Sequence, residues 1–155
     1  MAGDAILAEF ASVVACVGAA VDLQTELQAR NRDLPADRRI QVRIGVNLGG
    51  VIEDRGEIYG DGVNVAARLE ALAPPGSICI SGQVAEQIAG KLPQSFLHCG
   101  PHRLKNIDRP VEVWCWPATA AQQLLRAQRS APRTRLAAGV GWGEFRLDHA
   151  RPGMV

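Results

Sequence analysis

The sequence lacks an apolar run long enough to cross a lipid bilayer. Its longest such run, residues 11–21, is interrupted by Ser12 and Gly18 and falls short of the roughly 20 residues that a transmembrane helix needs. The start, Met1-Ala2-Gly3-Asp4, also lacks the basic stretch before an apolar one that marks a signal peptide. These absences predict a soluble cytoplasmic protein with no membrane segment.

The sequence also lacks an excess of charge of either sign. Its 17 Lys and Arg residues and 16 Asp and Glu residues leave a formal net charge of +1. A balanced charge gives no overall attraction to a polyanion. We therefore expect neither nucleic acid nor an anionic membrane as a partner.

Cysteine is sparse and widely scattered. None of the four cysteines lies in a CxxC pair or at the spacing of metal ligands, which argues against a metal site built from them. We expect reduced, mostly buried thiols that pack as small apolar side chains, as is usual in a cytoplasmic protein: Cys16, Cys79, Cys99 and Cys115.

The chain has enough apolar residues for one globular domain. It has 155 residues, of which 47% are hydrophobic and 21% charged, and no internal repeat. Periodicity and capping residues predict alternating strands and helices and hence an α+β or α/β layer in which helices cover a sheet. The predicted strands are Ala5–Phe10, Gln41–Leu48, Ser77–Ser81, Phe96–Leu104 and Val111–Trp116; the predicted helices run from Ser12 to about Asn31, from Asp61 to Pro74, from Ser81 to Gly90 and from Ala118 to Ala127. After the last predicted helix, the segment Arg129–Val155 has no periodicity and is predicted to be disordered.

The polar pair Asn64 and Arg68 is the first candidate for chemistry. The two residues are four apart on a predicted helix and therefore share one face, beside a glycine-containing turn. A guanidinium can stabilise charge on a transferring phosphoryl group, and a carboxamide can bind a sugar oxygen. Spacing alone favours the ordinary alternative, a solvated Asn and Arg on an amphipathic helix.

The sequence around this pair resembles a motif of a known family. Tyr59-Gly60-Asp61-x-Val63-Asn64-x-Ala66-x-Arg68 resembles the most recognisable motif of class III adenylate and guanylate cyclases. Four further segments resemble neighbouring parts of that domain in the correct order: residues 3–10, 43–49, 75–81 and 100–114. The resemblance runs from about residue 3 to residue 116 and implies a ferredoxin-like cyclase sheet with covering helices.

The resemblance implies a role for each matching position. Asp4 would be one of two aspartates that hold the catalytic Mg²⁺ or Mn²⁺ ions; the alternative is a hairpin aspartate bonded to its own backbone. Asn64 would orient the ribose, and Arg68 would stabilise the transition state at the α-phosphorus. Lys105 would contact the terminal phosphates; the alternative is an exposed turn lysine.

Glu57 lies seven residues before Asn64, where adenylate cyclases of the family usually read the base with Asp or Thr. A carboxylate can accept a hydrogen bond from the adenine amino group, which guanine does not offer at that edge. The resemblance thus favours ATP over GTP.

The sequence departs from the family at its start. Residues that would match the first strand, with the other metal aspartate, and the two helices after it do not occur before Asp4. We therefore expect residues 1–117 to form a partial cyclase domain, incomplete at its N-terminus, and residues 118–155 to add a short helix and a disordered tail.

Three hypotheses follow. The first is an adenylate cyclase-type domain that converts ATP to cyclic AMP and pyrophosphate for intracellular signalling, paired with a second cyclase domain as a homo- or heterodimer. The second is an inactive remnant that binds or regulates another cyclase through the dimer face. The third is an unrelated α+β binding module that shares the motif by chance.

Overall fold

A computed structural model describes residues 6–48, 52–54, 57–59, 61–130 and 146–149. The described helices are α1 (Val13–Asn31), α2 (Asp61–Leu72), α3 (Gly82–Ile88) and α4 (Ala118–Ser130), with a short 3-10 turn at Ala36–Arg38. The described strands are β1 (Ile40–Val46), β2 (Ile52–Asp54), β3 (Glu57–Tyr59), β4 (Ile78–Ser81), β5 (Leu97–His102), β6 (Val111–Trp116) and β7 (Arg146–His149).

Five of these strands form one mixed sheet in the order β5-β6-β4-β1-β7. The pair β1 and β4 is parallel, with Ile44 opposite Ile78, and the other neighbours are antiparallel. The strands β2 and β3 form a separate hairpin. The predicted α+β class with helices covering a sheet is confirmed.

The two faces of the sheet bury separate cores. On one face, α1 packs over Val42, Ile44 and Val46 of β1, and α3 packs beside it over β4 and β6. On the other face, α2 and α4 enclose a cluster that includes Leu69 and Leu124. Both faces are covered, which explains why all four residues of β4 are buried.

Local sequence signals set most element boundaries. Ser12 begins α1 as predicted, because its Oγ accepts a hydrogen bond from the Ala15 backbone N–H at 3.3 Å. The period of two in the strand predicted at Gln41–Leu48, which places Val42, Ile44 and Val46 on one side, is confirmed, because all three are buried.

The strand predicted at Ala5–Phe10 is wrong for residues 6–10, which form no regular element. An extended segment becomes a strand only where a neighbouring backbone supplies hydrogen bonds, and the described ladders include none to these residues.

The disorder predicted for Arg129–Val155 is also wrong in two places, at the end of α4 and at β7. The helix α4 continues to Ser130, and β7 pairs with β1 so that Ile40 lies opposite His149. A strand edge presents backbone groups that a short segment can pair with, whatever the periodicity of that segment. None of the helices among the described residues is long and apolar enough to cross a membrane.

Candidate functional site

The candidate site is built on α2, which lies directly against β1. A Cβ atom added to Gly45 would stand 2.2 Å from the carbonyl oxygen of Ala66 and 2.3 Å from the backbone nitrogen of Glu70. Only glycine allows the helix to approach this closely. The position of α2 is therefore set by a backbone-to-backbone contact with the centre of β1.

A second contact fixes the beginning of α2. The Nδ2 group of Asn47, just beyond the end of β1, donates a hydrogen bond to the carbonyl oxygen of Gly62 at 3.2 Å. The first turn of α2 is thus tied to the carboxyl end of β1. The sequence pattern had placed Asn47 in a family motif without giving it a role; its polar side chain directly after a buried strand was the available signal.

Asn64 and Arg68 lie on α2 as their spacing predicts. The inward face of the helix buries Val63, Ala67 and Leu69, while Asn64 is exposed and Arg68 is half-buried. Both polar side chains therefore belong to the part of the helix that borders solvent, where a ligand can reach them.

Lys105 lies in the turn after β5 and is half-buried. The turn closes with a hydrogen bond from the Ile107 backbone N–H to the Leu104 carbonyl at 3.1 Å, and Asn106 takes a positive φ of 61°. Leu104 belongs to the same buried cluster as Leu69. The turn that carries Lys105 and the helix that carries Arg68 therefore each place a residue in the same buried cluster.

The other two predicted residues are less fully described. Glu57 is the first residue of β3, and its backbone pairs with Asp54 across the hairpin. Asp4 lies outside the described residues. Among the described parts of the chain, there is no cluster of three or more His, Cys, Asp or Glu side chains that could hold a metal ion. The described residues alone therefore do not fit a metal centre.

The arrangement suits an anionic phosphate ester. A carboxamide and a guanidinium four residues apart can bind neighbouring groups of one ligand, and Lys105 is a second cation in the turn after β5, whose Leu104 shares a buried cluster with Leu69 of α2. Cations that converge on a phosphoryl group stabilise the charge that builds up during its transfer.

Comparison with known proteins assigns the chain to a family. Residues 5–112 match the family described as the adenylate and guanylate cyclase catalytic domain. A Rhizobium meliloti (strain 1021) protein that carries the provisional name adenylate cyclase 3 is 49% identical over 114 residues, which cover 74% of this chain and 19% of that protein. The chain thus spans about a fifth of that relative.

Solved structures agree with this match. An adenylate/guanylate cyclase/hydrolase from Silicibacter pomeroyi superposes with a TM-score of 0.67 at 42% identity, over 69% of this chain and 62% of that one. The adenylyl cyclase CyaB from P. aeruginosa shares the fold, with a TM-score of 0.53 at 24% identity over 66% of this chain and 57% of that one. This chain belongs to the family of adenylate and guanylate cyclase catalytic domains.

Proposed function

We propose that the chain is an adenylate cyclase-type domain that supplies α2, with Asn64 and Arg68, to an active site. This site converts ATP to 3′,5′-cyclic AMP and pyrophosphate for intracellular signalling. The observation that carries the proposal is the placement of Asn64 and Arg68 on the solvent side of a helix fixed to β1 by Gly45 and Asn47. A rigidly held pair is what positional catalysis requires.

The proposed step is an in-line displacement. The ribose 3′-oxygen forms a bond to the α-phosphorus, the bond from that phosphorus to the pyrophosphate oxygen breaks, and the 3′-hydroxyl proton is lost. Arg68 stabilises the charge that develops on the α-phosphoryl oxygens, and Asn64 holds the ribose. Lys105 binds the terminal phosphates, and Glu57 accepts a hydrogen bond from the adenine amino group.

Catalytic domains of this family generally use divalent metal ions. We propose Mg²⁺ or Mn²⁺ as the cofactor and Asp4 as one of its ligands. A divalent ion supplies charge neutralisation on the triphosphate when it is bound. The steps above use only the chain's own side chains, because the described residues do not form a metal centre.

The proposed partner is a second cyclase domain, in a homo- or heterodimer. Large apolar side chains stay exposed in the described chain before α1, within α1 and after β1: Ile6 at 60%, and Leu7, Phe10, Leu23 and Leu48 at 42–43%. Neighbouring exposed apolar side chains favour contact with another chain. A cytoplasmic location follows from the nature of the substrate, ATP.

The test is cyclic nucleotide production by the purified chain with ATP and with GTP in excess Mn²⁺. Removing one charge-stabilising donor typically lowers kcat by about 10²–10³-fold, so Arg68→Ala is expected to lose the product. Arg129→Ala, at an exposed position in the last turn of α4, is the matched control and is expected to keep full activity. Cyclic GMP in place of cyclic AMP would overturn the substrate assignment.

A second candidate function is a catalytically inactive dimerisation or regulatory partner, which the exposed apolar residues also favour. Complementation separates the two. A complete family domain that lacks its own equivalent of Arg68 is mixed with this chain. If the mixture makes product and neither protein does so by itself, the chain donates Arg68. If the folded chain binds the domain without restoring turnover, the chain is a regulatory partner.

A further inference from the structure

A cavity of about 400 Å³ lies at the opposite end of β1 from Asn47. Its walls come from the second half of α1, the start of β1, the turn before β4, the end of β6 and the start of α4. At about 3.3 Å per strand residue, Ile40 at the cavity lies about 20 Å or more from Asn47. The cavity is therefore separate from the α2 site.

The charged residues that line the cavity are all positive. Arg32 and Arg39 both contribute to it, and none of the described residues that line it carries a carboxylate. The Nε of Arg39 donates to the Leu34 carbonyl at 3.0 Å, which holds the side chain while its terminal nitrogens can still donate. A guanidinium fixed in this way is suited to binding a phosphate.

A buried carboxamide supplies an acceptor. Gln24 is only 5% exposed, and its Nε2 donates to the Val42 and Ser77 carbonyls at 2.8 and 2.9 Å. Both N–H bonds are thereby used, so the oxygen Oε1 is what Gln24 can present to the cavity. An acceptor held this rigidly suits a ligand that carries an N–H or O–H donor.

The remaining wall combines an aromatic residue with three glutamines. Trp116 and Pro117 line the cavity, and so do Gln28, Gln41 and Gln123. Aromatic rings stack on planar ligands, and carboxamides pair with the edges of purine rings. The volume lies within the roughly 300–1,000 Å³ typical of small-molecule sites.

We propose that this cavity is a second binding site, for an organic phosphate that carries a planar ring, with Arg32 and Arg39 on the phosphate and Trp116 and Gln24 on the ring. The proposal goes beyond cyclase activity and does not depend on it, because binding is measured directly and without turnover.

The test is calorimetric titration of the full chain with AMP, adenosine and inorganic phosphate. AMP is expected to bind at least about tenfold more tightly than either fragment, because each satisfies only part of the cavity. Arg39→Ala and, separately, Arg32→Ala are each expected to weaken AMP binding at least about tenfold. Arg32 is exposed at the end of α1, so that variant keeps the test valid if Arg39→Ala does not fold.

Two control variants locate the binding. Arg103→Ala, at an exposed position outside the cavity, is expected to bind AMP normally. Arg68→Ala tells the two sites apart, because this change weakens AMP held at α2 and leaves AMP held in the cavity unaffected. Binding lost in Arg68→Ala but kept in both cavity variants would place AMP at α2 and overturn the proposal. So would the absence of binding at millimolar AMP, or equal binding of adenosine and AMP.

Discussion

Gly45 on β1 lies so close to Ala66 on α2 that no side chain fits between the strand and the helix. The contact joins backbone to backbone, so a flexible side chain cannot move aside to relieve a clash. The helix that carries Asn64 and Arg68 depends on it for its position.

Gly45→Ala is therefore expected to destabilise the chain. Overpacking typically costs about 1–3 kcal/mol, and a clash with two backbone atoms belongs at the upper end of that range or above it. The measurement is the free energy of unfolding in urea. Gly18→Ala is the control. Its new methyl group would lie 3.9 Å from Leu92, an ordinary contact, and alanine is more favourable than glycine in the middle of α1. A Gly45→Ala chain as stable as Gly18→Ala would contradict the close approach.

Gln24→Leu is expected to cost about 1–3 kcal/mol of unfolding free energy, because two hydrogen bonds inside the protein are lost. Gln122→Leu is the matched control on the exposed face of α4 and is expected to change stability little. Urea unfolding measures both. Equal stability of the two variants would show that the Gln24 amide does not join α1 to β1 and β4.

His102 is expected to make stability depend on pH. Its burial lowers the pKa of the imidazole, which outweighs the opposing effects of the Gly100 carbonyl and Glu112. Because the folded state then binds the proton less readily than the unfolded state, stability is full above the ordinary pKa of about 6.5 and falls as pH drops below it.

The measurement is the free energy of unfolding between pH 8 and pH 5. His102→Asn is expected to flatten this part of the profile, while the exposed His98, which contacts Glu112 at 2.5 Å, serves as the control position through His98→Asn. A His102→Asn profile as steep as that of the unsubstituted chain would contradict the assignment.

Three of the four thiols are expected to resist alkylation in the folded chain. Burial raises the pKa of Cys99 to about 12, and the hydrogen bond with the Cys79 thiol, together with burial, raises the pKa of Cys115. The reactive thiolate is therefore scarce at pH 8. Mass spectrometry after iodoacetamide treatment should show Cys79, Cys99 and Cys115 unmodified until urea is added, with the less buried Cys16 modified first. Rapid labelling of Cys115 in the native chain would argue against the packing of β4 on β6.

The sequence predicted the elements whose signals are local. Periodicity in the sequence predicts the strand β1, in which alternate residues are buried, and the helix α1, which buries one face. Asn64 and Arg68 lie on the predicted helix α2. The expected burial of the cysteines is confirmed for Cys79, Cys99 and Cys115, while Cys16 is only partly buried. The roles of the site residues stay predictions, since they rest on resemblance and Asp4 lies outside the described residues.

What the sequence could not predict depends on distant partners. The sequence around Gln24 predicts a surface glutamine. Its burial is explained by hydrogen bonds to the carbonyls of Val42, 18 residues away, and Ser77, 53 residues away. The pairing of β7 with β1 has no periodic signal in Arg146–His149. The segment 6–10 had the composition of a strand without a described neighbour to pair with.

The pairing of β1 with β7 has a consequence for biosynthesis. A ribosome makes β1 about a hundred residues before it makes β7. At the usual rate of about 5–20 residues per second, one edge of β1 therefore stays without this neighbour for about 5 to 20 seconds. During that interval the nascent chain exposes unpaired backbone groups beside an apolar strand, the kind of surface that chaperones bind and that other chains can pair with.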